Sequence, residues 1–147
     1  DISERPEGVG TIYHRIHTGT TNFATFLTLK DALDFHELVG PARKAARVAY
    51  LRDLWAEEMR DDDRIEILTP SDPRLHAAIT SFRFKGKTSV DDNKAIVTAL
   101  EEKHGIFTVH RTDVAKGACV RVTPTLYNTP DQCLQLVRAL RSLLSET

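Results

Sequence analysis

The order of elements along the chain predicts an α+β fold: a small antiparallel or mixed sheet of about four strands with helices on one face, preceded by two helices. Three observations carry this. Two long stretches of helical periodicity come first, four short runs with strand-like alternation follow, and two further helical stretches interrupt those runs as strand, strand, helix, strand, strand, helix. That order lacks the strict strand–helix alternation of a parallel α/β sheet.

Residues 1–17 alternate polar and apolar groups, with Ile12 and Ile16 flanking Tyr13 and His14, and predict an extended lead-in. In Thr18-Gly19-Thr20-Thr21-Asn22 the glycine supplies backbone freedom, and the hydroxyls and Asn22 suit the cap of a helix running to about Val39. A helix start of this composition also suits an anion, because free N–H groups and the positive end of the dipole converge there. Composition alone leaves both readings open. Phe23, Phe26, Leu27, Leu29, Leu33, Phe35 and Leu38 are spread widely around this helix, which predicts burial on more than one side.

Gly40 ends that helix and Pro41 suits the first turn of the next, which runs to about Met59. Its apolar face is Ala45, Val48, Leu51, Trp55 and Met59, with Arg43, Lys44, Arg47 and Arg52 expected in solvent. The turn Arg60-Asp61-Asp62-Asp63-Arg64 carries adjacent aspartates but no spaced loop of oxygen ligands, so it reads as a solvated turn and not a metal site.

Strands are expected at Ile65–Leu68 and Ala78–Phe84, with a loop through Ser71-Asp72-Pro73-Arg74. Thr88 or Ser89 caps a helix from about Val90 to His104, and Gly105 lies just past its end. Ile106–Arg111 and Ala118–Thr123 are the remaining strands, joined by a turn from Asp113 to Gly117. Thr129 and Gln132 then form a capping box ahead of a stripe of Cys133, Leu136, Val137, Leu140 and Leu144.

The last strand holds the most informative residue. Val120 and Val122 share one face of it, so Arg121 points to the other. A guanidinium presents five donors in a fixed fork that matches a carboxylate bidentately. Read from the residues alone, Arg121 suits either a small carboxylate ligand or an internal ion pair with an acid such as Asp113 or Glu66.

The run Val120-Arg121-Val122-Thr123-Pro124-Thr125-Leu126-Tyr127-Asn128-Thr129-Pro130-Asp131 resembles the end of the class V aminotransferase family of pyridoxal phosphate (PLP) enzymes. There an R-[IV]-S-x-x-x-Y-N-T-x-x-[DE] segment closes a small C-terminal domain. The resemblance implies that Arg121 binds the α-carboxylate of an amino-acid substrate and that Asn128 belongs to the same substrate side. It also places Gly19, Thr20 and Asn22, matching a G-T-x-N segment, near the cofactor, with Thr20 reaching the PLP phosphate of a neighbouring subunit in a homodimer. The run Ala32-Leu33-Asp34-Phe35 with Gly40 is similar to the isopenicillin N epimerase-like branch, whose members epimerise, cleave C–S bonds or transaminate.

In that family the Schiff-base lysine and the aspartate at the pyridine nitrogen lie in a large domain. None of Lys30, Lys44, Lys85, Lys87, Lys94, Lys103 and Lys116 matches the lysine's motif. The chain is therefore expected to be the C-terminal portion of a PLP enzyme, with no catalytic residue of its own and no activity alone. Its parts would be a segment with a cofactor-side turn at 1–22, a helical linker at 23–60 and the small domain at 61–147, with the large PLP-binding domain absent. A desulfurase would carry a reactive cysteine before the arginine, and the interval His110 to Gly117 has none. Cys119 sits on a strand, where it lacks a loop to deliver a thiolate.

The 147 residues, 41% hydrophobic and 28% charged, suffice for one core. A net charge of −1 gives no footprint for nucleic acid or an anionic membrane, and no apolar run would span a bilayer. The N-terminal residues do not read as a signal peptide, so a cytoplasmic location is expected. Two cysteines make neither a disulfide framework nor a zinc site, and His14 with His17 lacks further ligands, so no metal is expected. The alternative reading is a stand-alone α+β module that binds a small carboxylate or serves dimerisation, without cofactor. A piece cut from a larger enzyme should also expose apolar surface on the 23–39 helix.

Overall fold

The computed structural model describes residues 12, 19–20, 22–112 and 115–146. The chain falls into two compact units, Asp1–Val39 and Gly40–Thr147. The division leaves the long helix from Pro41 with the sheet.

In the first unit Asn22 caps helix α1 (Phe23–Leu27), its Oδ1 accepting from the Ala24 N–H at 3.1 Å. Helix α2 spans Leu29–Val39. The single helix expected over 23–39 is thus broken at Thr28, whose hydroxyl donates to the Thr25 carbonyl at 3.0 Å. A threonine that bonds back to the preceding turn competes with the helical ladder and bends it. Neither helix buries a residue, and Phe23 and Leu38 are 68% and 80% exposed. Burial on more than one side is therefore not met within this chain, whereas the expected apolar surface is present. Of the lead-in expected to be extended, Ile12 is helical and the rest of 1–18 lies outside the described residues.

The second unit begins with α3 (Pro41–Arg60), with Pro41 in its first turn. After it come β1 (Ile65–Ile67), β2 (Thr80–Phe84), α4 (Val90–His104), β3 (Val109–Arg111), β4 (Cys119–Val122) and α5 (Pro130–Ser145). Ser89 caps α4 by accepting from the Asp92 N–H, and Gly105 closes it in the left-handed region at φ 66°. At α5 both halves of the Thr129–Gln132 capping box are made. Such caps satisfy the orphan N–H groups of the first turn and are worth about 1 kcal/mol each.

The four strands lie in the order β1-β2-β4-β3, and every pair among the described residues is antiparallel. Register puts Ile65, Ile67, Thr80, Phe82, Phe84, Val120 and Val122 on one face. That face packs with Leu51, Trp55 and Met59 of α3, Ile96 and Leu100 of α4, and Leu136, Leu140 and Leu143 of α5 in a single core. Trp55 meets Phe82 edge to face at 5.9 Å between centroids.

Two expectations for α3 fail. Its buried residues begin at Leu51, and Ala45, expected on the core stripe, is exposed while Val48 is half-buried. Arg52, expected in solvent, is 1% exposed. It follows Leu51 on the flank of the buried stripe, where β2 and the β1–β2 loop cover it. Its Nε donates to Thr80 Oγ1 at 3.0 Å, its Nη1 meets His76 Nε2 at 3.2 Å, and its fork also pairs with Asp53 and Glu57.

Candidate substrate-carboxylate site

Strand β4 runs between β2 and β3, which places Arg121 in the middle of the sheet, opposite Ser81 on one side and Val109 on the other. The same face carries Glu66, Arg83, Arg111 and Cys119 by register. Here the sheet presents cations to the side away from the core.

Glu66 is the acid of this face, and it is already engaged. Arg83, 6% exposed, donates from Nε to Glu66 Oε2 at 2.7 Å and from Nη1 to the Lys116 carbonyl at 2.6 Å. Among the described residues no hydrogen bond or ion pair reaches the side chain of the half-buried Arg121, and its Nε is shielded from solvent without a partner. Asp113, the other acid considered, lies outside the described residues. A buried donor left unpaired costs about 1–3 kcal/mol, and more when charged.

Asn128 occupies a closed turn. Its Oδ1 accepts from the Thr125 N–H at 2.8 Å and from the Thr125 hydroxyl at 3.2 Å, while its Nδ2 donates to Gln132 Oε1 at 3.0 Å. Its carbonyl accepts from Arg47 Nη2 at 3.0 Å. Thus the Asn128 amide organises the loop between Arg121 and α5. A cleft of about 270 Å³ adjoins this loop, walled by Trp55, Thr108, Val122, Pro124, Asn128 and Cys133 among others. Burial pushes the Cys133 thiol up, with the nearby Arg47 charge opposing that shift, and both cysteines are free and buried.

The remaining predicted residues belong to the first unit. Gly19 takes φ 91°, a left-handed conformation that a side chain rarely adopts, Thr20 is exposed, and the Asn22 side chain caps α1. Arg121 and Asn128 share the second unit, seven positions apart on one strand and its following loop. Missed by sequence reasoning were Arg83, which occupies Glu66, and Arg47, which holds the Asn128 carbonyl. Pairing of Glu66 with Arg83 depends on strand register, which the alternation of residues does not specify.

The backbone near Gly117 also shapes this face. Gly117 has φ 104°, and a Cβ there would lie 2.7 Å from the Thr88 carbonyl oxygen, which accepts from the Ala118 N–H at 2.8 Å. Among the described residues no group of three or more His, Cys, Asp and Glu is placed to hold a metal ion. No described helix is long and apolar enough to cross a membrane.

The sequence model of the aminotransferase class-V family matches residues 2–136, and the chain belongs to that family. Among curated proteins it is similar to the isopenicillin N epimerase of Amycolatopsis lactamdurans, 28% identical over 130 residues that cover 85% of this chain and 30% of that protein. The isopenicillin N epimerase of Streptomyces clavuligerus is 25% identical over 133 residues, 87% of this chain and 31% of that protein. The chain therefore spans about a third of the length of these relatives. Among solved structures, the cysteine desulfurase of Thermococcus onnurineus superposes with a TM-score of 0.75 at 18% identity, over 90% of this chain and 34% of that one. This last likeness shows the fold alone.

Proposed function

We propose that this chain is the C-terminal portion of a PLP-dependent enzyme acting on an amino acid, and that Arg121 is its clamp for the substrate α-carboxylate. The unpartnered guanidinium of Arg121 carries the proposal: in a strand of a class-V chain, the sheet's acid Glu66 is held by Arg83 and Arg121 is left for an outside anion. Fixing the carboxylate orients the Cα substituents, and orientation of this kind selects which bond reacts. The cofactor, when bound, supplies the electron sink for that bond.

The described residues fit part of a cofactor's surroundings and not its anchor. The resemblance to class V enzymes assigns the covalent attachment to a large domain outside this chain, and the described lysines, all exposed or half-buried, match no motif for it. Gly19, Thr20 and Asn22 would lie at the phosphate side in a homodimer with a shared active site: Gly19 is exposed and has no side chain to block approach to the backbone, and Thr20 offers a hydroxyl. Asn22 would hold that turn through its cap on α1, and Asn128 would serve the substrate by shaping the loop beside Arg121. The similarity to two isopenicillin N epimerases favours epimerisation over C–S cleavage or transamination. The chain by itself is expected to be inactive and the enzyme cytoplasmic.

The cofactor half of the proposal is tested on the full-length protein by its near-ultraviolet and visible spectrum before and after borohydride. A cofactor band that reduction removes supports it. No such band, even with added PLP, would favour a carboxylate-binding module without cofactor.

A further inference from the structure

The loop after β4 is a knot tied mostly to itself. Thr125 and Asn128 are joined by three hydrogen bonds: two onto Asn128 Oδ1, and a third from the Asn128 N–H to the Thr125 carbonyl at 3.2 Å. Gln132 Oε1 couples the knot to α5 by accepting from Asn128 Nδ2 and from the Thr129 N–H, each at 3.0 Å. A side-chain bond reaches it from α3, from Arg47 Nη2 to the Asn128 carbonyl, across 81 positions of sequence.

The setting of Arg47 argues that this bond is positional. Its guanidinium is close enough to act electrostatically on Cys133, in the first turn of α5. A cation at a helix N-terminus opposes the helix dipole, so the placement works against helix stability. Tyr50, one turn along α3, lies under the guanidinium at 5.8 Å from ring centroid to Cζ and restricts its swing. A half-buried arginine held over a ring and aimed at one main-chain carbonyl fixes the distance between two elements.

We infer that Arg47 is a positioning residue: it fixes the 125–128 turn against α3, and through it the exit of the strand that presents Arg121 to substrate. This inference rests on the carboxylate reading of Arg121. Among the described residues no hydrogen bond or ion pair joins Arg47 to Arg121, so it acts through the loop. Losing the bond should let the turn drift, and misplacement on the order of an ångström costs rate steeply.

The test uses the full-length protein with Arg47→Met, which keeps the apolar stem and removes the donors, and Arg47→Lys, which restores a donor. Amide hydrogen exchange reads the turn directly. In Arg47→Met the Thr125 and Asn128 amides should exchange roughly tenfold faster while the centre of α5 stays protected. The KM for the amino acid should rise about tenfold, with cofactor affinity unchanged, and Arg47→Lys should recover most of both effects. A purely structural role would instead lower stability without a selective change in KM.

Unchanged exchange in Arg47→Met overturns the inference, as does freed exchange with unchanged KM when Arg121→Ala does raise KM. An Arg121→Ala variant with wild-type KM would overturn the carboxylate reading instead, because the exchange arm reports on Arg47 independently of activity.

Discussion

Replacing Arg52 by Met should loosen the junction of α3, the start of β2 and the β1–β2 loop. The Arg52 side chain is 2% exposed, whereas those of its carboxylate partners Asp53 and Glu57 are 48% and 45% exposed. Those acids regain water when the cation goes, so their share of the loss is about 0–1 kcal/mol each. Thr80 differs: it is fully buried, and its hydroxyl loses a charge-assisted bond of 3.0 Å, worth about 1.5–3 kcal/mol. His76 Nε2 loses its 3.2 Å contact, while the Met side chain returns some apolar burial. The net is about 3 kcal/mol, close to a hundredfold in a local opening equilibrium. Native-state hydrogen exchange on the full-length protein measures this at the β2 amides. Adding Thr80→Val should recover part of the loss by removing the stranded hydroxyl. Exchange accelerated less than about threefold in Arg52→Met would refute the reasoning, since the arginine would then be spending as much in desolvation as it gains in bonds.

Two more predictions concern loops. Hydrogen bonds from Arg64 hold the Asp62 carboxyl down at about 2. The folded-state value is depressed, so its stabilisation is present above the ordinary carboxylate range and is lost as pH falls through about 2. A carbon-detected NMR titration should show Asp62 moving up toward the usual range in Arg64→Ala, and an unmoved midpoint would contradict the assignment. Gly117→Ala combines a left-handed φ of 104° with a Cβ only 2.7 Å from the Thr88 oxygen. It should cost about 1–3 kcal/mol and raise exchange at Ala118, and wild-type exchange there would mean the loop yields freely.

What the sequence disclosed was mainly local. The Thr129–Gln132 box and the Ser89 cap follow from side chains acting within four residues of their own backbone, Gly105 follows from the left-handed conformation that a glycine adopts freely, and all three are made. Alternation located the four strands, although the hydrogen-bonded parts are shorter than the runs of suitable residues. Helix 23–39 was divided by a single hydroxyl at Thr28, a competitor that periodicity does not register. Arg52 was misplaced because charge argues for solvent at a helix flank unless a loop covers it, and that cover comes from residues more than twenty positions away. For the site, motif and strand pattern gave Arg121 its face. Its lack of a partner depends on Glu66 facing Arg83 across β1 and β2, a matter of register.

The most direct measurement compares an amino-acid ligand with its decarboxylated amine, in wild-type full-length protein and in Arg121→Ala, by titrating the cofactor absorbance. One charge-assisted bidentate contact should favour the amino acid by about 2–5 kcal/mol in wild type. If Arg121 holds the carboxylate, Arg121→Ala weakens the amino acid by that amount, leaves the amine nearly unchanged, and so abolishes the preference. A preference that survives in Arg121→Ala would contradict the account and assign the carboxylate to another group.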